Sequence, residues 1–200
     1  MARARGNQSA VLLKALRFSA DKHRHQMRKG IDAGPYINHP IEVAALLAIE
    51  GGVTNQTLLV AAVLHDTIED TRTTPQEIKK NFGSKVLALV KEVTDDKSLS
   101  KAERKRLQLE HAPHLSPSAK MIKVADKTSN VRDVAEKPPA DWPLPRRWEY
   151  LSWAADVVAG CRGVNKALEH HFDKILKSAK ATVQREVQDI FRIHDEDGEH

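Results

Sequence analysis

Apolar side chains recur every three to four residues along most of the chain, and this period predicts α-helices. The first helix places Val11, Leu12, Ala15 and Leu16 on one face and ends before Gly30. The pattern contains no alternating strand of useful length and no internal repeat, so it predicts an all-α fold. The predicted helical segments are residues 11–29, 40–49, 54–71, 75–82, 84–93, 100–111, 118–134, 146–160 and 165–180.

One long proline-rich segment interrupts this helical pattern. The segment Lys137–Pro145 holds four prolines and cannot be helical, so it is predicted to be a connector or a lid. We predict a single domain over residues 1–180. Residues 181–200 are predicted to form a C-terminal extension that is partly disordered.

The composition is that of a globular protein. The 200 residues are 40% hydrophobic and 30% charged. The single cysteine, Cys161, excludes an internal disulfide and a four-cysteine zinc site. The longest apolar runs, Val43–Ile49 and Leu58–Leu64, are seven residues each and are too short to cross a bilayer. Lys14 and Arg17 interrupt the first apolar stretch, which argues against a signal peptide. A cytoplasmic protein without membrane contact is therefore expected.

Charge is unevenly distributed along the chain. The net charge is +5 overall, +7 over residues 1–30 and −4 over residues 189–200. A basic segment can attract nucleic acid, a membrane or a phosphorylated small molecule. Aromatic residues make up only 4% of the chain and no recognition-helix motif is evident, so nucleic acid is a disfavoured partner.

The clearest chemical signal is the run His65-Asp66-Thr67-Ile68-Glu69-Asp70-Thr71, which follows an apolar helix. Residues three or four apart share a helix face, so one patch is predicted to carry an imidazole and three carboxylates. Such a patch is costly unless a cation or a hydrogen-bond network compensates it. An exposed acidic helix end is the alternative interpretation.

A metal ion needs further ligands, and two positions stand out. His39 lies between Pro35-Tyr36 and Pro40, which restrict the backbone around it. Asp126 follows the apolar stretch Met121–Ala125 on a predicted helix, and Asn130 shares its face.

The order His39, His65-Asp66, Asp126 resembles the metal-binding signature of the HD superfamily of phosphohydrolases. The wider pattern is similar to the hydrolase domain of RelA/SpoT-type enzymes over roughly residues 10–170. With no synthetase segment after it, the chain resembles a small alarmone hydrolase of the SpoT-homolog type. The blocks that carry this resemblance are His23-x-x-Gln26-x-Arg28-Lys29, Pro35-Tyr36-Ile37-Asn38-His39-Pro40, Leu64 to Thr71, Phe82-Gly83, Val93-Thr94-Asp95-Asp96 and Ala125-Asp126-Lys127-x-x-Asn130.

The resemblance implies an HD-domain bundle of about eight to ten helices. It implies hydrolysis of the 3′-pyrophosphate of ppGpp or pppGpp to GDP or GTP plus pyrophosphate. It also implies one divalent ion, usually Mn²⁺, bound by His39, His65, Asp66 and Asp126. Two imidazoles and two carboxylates suit Mn²⁺ at least as well as Zn²⁺, and they exclude neither Zn²⁺ nor Fe²⁺.

Further roles follow from the same resemblance. Glu69 and Asp70 are expected to be catalytic, because they lie one turn beyond the His65-Asp66 pair. The residues expected to bind substrate are Arg28, Lys29, Asn130, Arg146 and Tyr150.

Two alternatives stay open at this point. One is an HD-class phosphatase that acts on another phosphorylated nucleotide, such as a 2′-phosphorylated dinucleotide. The other is a basic module that binds nucleic acid. The sequence leaves the oligomeric state open.

Overall fold

The computed structural model describes residues 2–30 and 34–197. Within those residues it contains ten α-helical segments, a short 3₁₀ turn at Ala112–His114 and no strand. The predicted all-α bundle of eight to ten helices is confirmed. The helices are α1 (Ala2–Lys22), α2 (Asn38–Ile49), α3 (Gln56–Leu64), α4 (Thr67–Asp70), α5 (Pro75–Phe82), α6 (Ser84–Val93), α7 (Lys101–His111), α8 (Pro117–Glu136), α9 (Leu144–Cys161) and α10 (Lys166–Asp197).

Short polar side chains cap the first turn of several of these helices. At the start of α5, the Thr74 hydroxyl accepts from the Glu77 amide, and the Glu77 carboxylate accepts from the Thr74 amide. The Asn55 side chain accepts from the Leu58 amide at the start of α3. Each cap satisfies amides that have no partner within the first helical turn.

The predicted helix 54–71 is instead two helices, α3 and α4, separated by His65 and Asp66. At the end of α3, side chains donate hydrogen bonds to the last carbonyl groups of the helix. His65 Nδ1 donates to the Ala62 carbonyl at 2.8 Å, and the Thr67 hydroxyl donates to the Leu64 carbonyl at 2.6 Å. These local bonds compete with the helical ladder. As a result, the ends of two helices meet at the His65-Asp66 pair.

The first helix also differs from its prediction, because it ends at Lys22 rather than at residue 29. The chain then turns, and Met27 pairs with Pro35 in an isolated antiparallel bridge. Residues 23–30, which follow α1, pack against the end of α8 at Gly30. A Cβ atom at that position would lie 2.6 Å from the Lys137 carbonyl oxygen, so the contact requires glycine.

Two helices form the centre of the molecule. In α3, every residue from Val60 to Leu64 is buried, and the helix packs against α1, α2 and α6. The long helix α8 packs against α2, α6, α9 and α10. The start of α2, the end of α3 and the middle of α8 therefore converge at one place. In the part of the chain that the structure describes, no helix is long and apolar enough to cross a membrane.

The last helix, α10, continues without a break past the predicted domain end at residue 180. Ala179 and Val183 are buried, and both carboxylate oxygens of Glu186 bind Arg147, at 2.5 and 2.9 Å. The extension therefore packs on α9 at least as far as Glu186. Its predicted partial disorder stays a prediction, and its last three residues lie outside the described part of the chain.

We expect Glu186→Gln to lower the free energy of unfolding by about 1–2 kcal/mol. The side chain of Arg147 is only 4% exposed, so the variant leaves a buried guanidinium without its counter-charge. Urea denaturation measures the effect. Asp189→Asn, which changes an exposed carboxylate one turn away, is the matched control. Equal denaturation midpoints for the two variants would contradict this role of the ion pair.

Candidate metal and active site

His39 lies in the first turn of α2 and is buried. Its Nδ1 is 3.0 Å from the Ser129 hydroxyl, and that hydroxyl donates to Glu42 at 2.7 Å. The hydroxyl therefore accepts from Nδ1–H of His39. This fixes the tautomer and leaves the Nε2 lone pair free to bind a metal.

His65, at the end of α3, also directs its Nε2 lone pair towards the site, but a backbone carbonyl rather than a hydroxyl fixes its ring. Its Nδ1 donates to the Ala62 carbonyl, so Nε2 carries the lone pair in the neutral ring. Among the described residues this buried Nε2 has no hydrogen-bond partner. It lies 3.0 Å from the nearer carboxylate oxygen of Asp66.

Two carboxylates face the two imidazoles. Asp126 Oδ1, from the middle of α8, is 3.2 Å from Nε2 of His39 and 3.9 Å from Nε2 of His65. Asp66 Oδ2 is 3.7 Å from Nε2 of His39. One ligand atom from each of His39, His65 and Asp126 lies within 4.8 Å of the others. Lone pairs that face carboxylates repel, so this mixed nitrogen and oxygen set fits a divalent cation.

The pKa values of the cluster also reflect its need for positive charge. Burial lowers the pKa of His65, but Asp66 and Asp126 outweigh burial and raise it to about 9. Burial would raise the pKa of Asp126, yet Lys127 and the imidazoles hold it well below its usual value. The pKa of His39 is lowered, chiefly by burial. In the absence of a bound cation, a proton on His65 therefore partly balances the negative charge of Asp66 and Asp126.

A further layer of side chains orients the carboxylates. The Tyr36 hydroxyl donates to Asp66 Oδ2 at 2.6 Å. Asn130 donates to Asp126 Oδ1 at 2.6 Å, and the buried Lys127 donates to Asp126 Oδ2 at 2.9 Å. Such contacts around ligating groups tune metal affinity and fix ligand geometry.

Glu69 and Asp70, on the single turn of α4, face the same cavity of about 180 Å³ as the imidazoles and carboxylates. Glu69 Oε2 accepts from the Asp95 amide at 2.9 Å. Lys97 Nζ contacts both side chains, at 2.6 Å from Asp70 and 3.4 Å from Glu69. Burial, with help from the Asp95 carboxylate, raises the pKa of Glu69. A raised pKa suits a carboxylate that accepts a proton near neutral pH.

A larger cleft of about 710 Å³ adjoins this cavity and shares Glu69, Asp95 and Lys97 with it. Its walls combine cations with aromatic rings. The pKa of Lys101 is lowered by burial and by the cations around it, so positive charge is only partly balanced there. The cationic lining residues are Lys29, Lys97, Lys101, Arg104, Lys105 and Arg146, and the aromatic ones are Trp142, Tyr150 and Trp153.

Three of the five predicted substrate residues lie in this cleft, namely Lys29, Arg146 and Tyr150. The Arg146 guanidinium stacks on the Trp142 ring at 4.6 Å. Arg28 and Asn130 line a smaller cavity of about 350 Å³ that also contains Lys29 and Tyr150.

Arg28 and Asn130 already have protein partners. Arg28 binds Asp133 through two nitrogens, at 2.5 and 3.0 Å, and donates to Asn130 Oδ1 at 3.1 Å. Asn130 donates in turn to Asp126. These two side chains therefore link the metal-type cluster to the cleft wall.

The sequence interpretation missed several residues of the site. Lys101, Arg104 and Lys105 have helical one-face spacing on α7, which is a detectable signal for a basic face. Trp142 follows two prolines in the non-helical segment, a context that predicts a fixed aromatic side chain. Lys97 carries no local signal, because its role depends on the loop that brings it to Glu69 and Asp70.

The family model described as an HD domain matches residues 15–147 of this chain. The chain belongs to the HD-domain family. The resemblance to HD-type phosphohydrolases is thereby confirmed.

Similarity to individual proteins defines the branch of that family. The chain is 52% identical to guanosine-3′,5′-bis(diphosphate) 3′-pyrophosphohydrolase MESH1 of Xenopus tropicalis, over 82% of this chain and 92% of that protein. It is 51% identical to the MESH1 enzyme of Homo sapiens, over 89% of this chain and 99% of that protein. A solved structure, described as a metazoan ortholog of SpoT that hydrolyzes ppGpp, superposes with a TM-score of 0.82 at 46% identity and covers 84% of this chain and 95% of its own.

Proposed function

We propose that this chain is a metal-dependent guanosine-3′,5′-bis(diphosphate) 3′-pyrophosphohydrolase, which converts ppGpp or pppGpp to GDP or GTP plus pyrophosphate. One observation carries the proposal. The cluster of imidazoles and carboxylates adjoins, through Glu69, a cleft lined by cations and aromatic rings. Diphosphates on both sides of a ribose need such cations, and a guanine base needs a flat surface to stack on.

In this proposal the metal ligands are His39, His65, Asp66 and Asp126, and the ion is Mn²⁺. The fixed Nε2 lone pairs and the facing carboxylates support this set, and the same donors accommodate Zn²⁺ or Fe²⁺. When bound, the ion lowers the pKa of a water and stabilises charge on a phosphoryl oxygen.

Glu69 and Asp70 handle the attacking water. Its oxygen forms a bond to the phosphorus attached to the 3′ oxygen, and the bond between that phosphorus and the 3′ oxygen breaks. Glu69 or Asp70 takes one proton of the water, and the 3′ oxygen takes a proton from solvent and leaves as a hydroxyl, which releases pyrophosphate. Both carboxylates line the cavity beside the cluster, and the raised pKa of Glu69 supports its role as the base.

The cleft residues bind the nucleotide. Arg146 and Lys29 contact phosphate oxygens, and Tyr150 contacts the base or the ribose, as their position in the cleft supports. Asn130 and Arg28 form the wall between cleft and cluster, where they contact the ribose or the 3′ phosphates. A cytoplasmic location stays a prediction, and the single cysteine supports it.

We expect Lys29→Ala to raise KM for ppGpp about tenfold, and to weaken GDP binding much less, because GDP lacks the 3′ diphosphate. The effect should shrink as salt rises, since the Debye length falls from about 10 Å at 0.1 M to about 3 Å at 1 M. Lys85→Ala makes the same charge change outside the cleft and is the matched control. An unchanged KM at low salt would remove Lys29 from the substrate site.

Two parallel digestions test the function itself. The protein is incubated with Mn²⁺ and either ppGpp or a 2′-phosphorylated dinucleotide, and pyrophosphate and phosphate are detected separately. We expect equal amounts of pyrophosphate and GDP. Phosphate release from a 2′-phosphorylated dinucleotide, with no pyrophosphate from ppGpp, would instead favour a different HD-class phosphatase.

A further inference from the structure

The turn after α1 carries a buried histidine and a glutamine for which the proposed reaction has no use. His23 is only 2% exposed, and Gln26 lines the smaller cavity together with Asp70. The two residues belong to the same sequence block as Arg28 and Lys29. Their contacts lead to Asp70, one of the two carboxylates proposed to be catalytic.

The direction of the hydrogen bonds follows from the chemistry of the groups. His23 Nδ1 lies 2.7 Å from Gln26 Oε1. An amide oxygen can only accept, so the imidazole donates. The amide nitrogen of Gln26 then faces the opposite way, where it donates to Asp70 Oδ2 at 3.3 Å. The Asp70 carboxylate can only accept, so the amide nitrogen faces it, and the Nδ1–H donor of His23 holds the amide oxygen on the opposite side.

Asp70 has a second partner of a different kind. Its Oδ1 accepts from Lys97 Nζ at 2.6 Å, and the Lys97 side chain is 48% exposed in the cleft. A phosphate group in the cleft competes with Asp70 for the Lys97 ammonium group, because the phosphate and the carboxylate are both negatively charged. The amide of Gln26 carries no charge, so a phosphate attracts it less strongly than it attracts Lys97, and we expect its contact with Asp70 to persist in the presence of substrate.

The same histidine supports a second carboxylate. The ring of His23 packs on the ring of Tyr36 with centroids 4.9 Å apart. The Tyr36 hydroxyl donates to Asp66. One buried side chain thus contacts both residues that orient Asp66 and Asp70.

We propose that Gln26 is a positioning residue, which holds Asp70 in the orientation that accepts a proton from the attacking water, and that His23 fixes the direction of its amide. This inference rests on the proposed function. It predicts that Gln26 acts through Asp70 alone.

Gln26→Leu is the first test, on the full-length, Mn²⁺-loaded protein. We expect kcat for pyrophosphate release from ppGpp to fall about ten- to hundredfold, the scale of one hydrogen bond to a charged group, with KM changed less than about twofold. Gln26→Glu should lower kcat further, because two carboxylates would then face each other. Arg24→Ala, an exposed change on the same turn, is the control and should leave kcat unchanged.

A double-mutant cycle separates positioning from a general structural role. In the Asp70→Asn background, Gln26→Leu should cause no further loss of kcat, because the residue through which Gln26 acts has lost its function. A purely structural role would lower kcat by the same factor in both backgrounds, and this result would overturn the proposal. Metal content should equal that of the wild type in every variant.

His23→Phe tests the orienting role, because it keeps a ring against Tyr36 and removes the Nδ1 donor. We expect a smaller fall in kcat than for Gln26→Leu, since the freed amide still adopts the productive orientation part of the time. Wild-type kcat would overturn this role. His23 is buried, so thermal unfolding is recorded for each variant, and the Gln26 cycle decides the proposal independently.

The two proposals fail in different ways. No pyrophosphate from the wild-type protein would contradict the proposed function. Wild-type activity together with an unchanged kcat in Gln26→Leu would contradict this inference alone.

Discussion

Asp66→Ala is expected to abolish metal binding and, with it, pyrophosphate release. The Asp66 carboxylate faces Nε2 of both His39 and His65, so its removal takes away one ligand and one negative charge together. Substitutions in the layer around a metal site already cost about ten- to a hundredfold in affinity, and loss of a ligand should cost more. Metal content after dialysis is measured by mass spectrometry, alongside activity.

Asp96→Ala is the matched control for this variant. Asp96 is an exposed carboxylate whose hydrogen bonds are to Ser98, and it does not face the imidazoles. It should retain metal at the wild-type ratio. Metal retained at that ratio by Asp66→Ala as well would contradict the ligand assignment.

Glu69→Gln and Asp70→Asn are expected to separate binding from chemistry. Each change keeps the shape of the side chain and removes the group that takes a proton. In Glu69→Gln the amide oxygen can still accept from the Asp95 amide. In Asp70→Asn the amide oxygen keeps the contact with Lys97, and the contact with Gln26 is lost because the amide nitrogen only donates. We expect kcat to fall about a hundredfold or more, with KM and metal content near those of the wild type.

Metal analysis of these two variants provides the decisive control. Loss of the ion in either one would make Glu69 or Asp70 a ligand, and the division into ligands and proton acceptors would be wrong. Glu103→Gln changes an exposed carboxylate of α7 that pairs with Arg106, and it should alter neither activity nor metal content.

The helices could be predicted because their signals are local. The apolar period recurs in the structure as helices, and α5 and α6 begin at the predicted residues 75 and 84. The break at His65-Asp66 could not be predicted, because the apolar run ends smoothly and the break arises from side chains that bind nearby carbonyls. This break brings α4 and its two carboxylates towards the imidazoles.

Some residues of the site could likewise be predicted from local sequence, and others could not. The metal ligands and Glu69-Asp70 could be proposed because short blocks carry them and resemble a known family. The partner of Arg28 could not be proposed from the sequence. Asp133 lies about a hundred residues away and meets Arg28 only because residues 23–30 pack on α8. The cleft depends on how α7 and Trp142 approach α9, which no local pattern records.

The three helices that meet at the imidazoles and carboxylates have a consequence for folding. His39, His65 and Asp126 are distant along the chain, so an unfolded chain offers a metal ion no preformed site. An ion that binds the folded form alone adds about 2.7 kcal/mol of stability at a hundredfold excess over its Kd. The chain has one cysteine and no internal disulfide, so a bound ion would cross-link segments that are distant along the chain. The melting temperature should accordingly depend on the concentration of free metal, and a chelator should act on the protein as a mild denaturant.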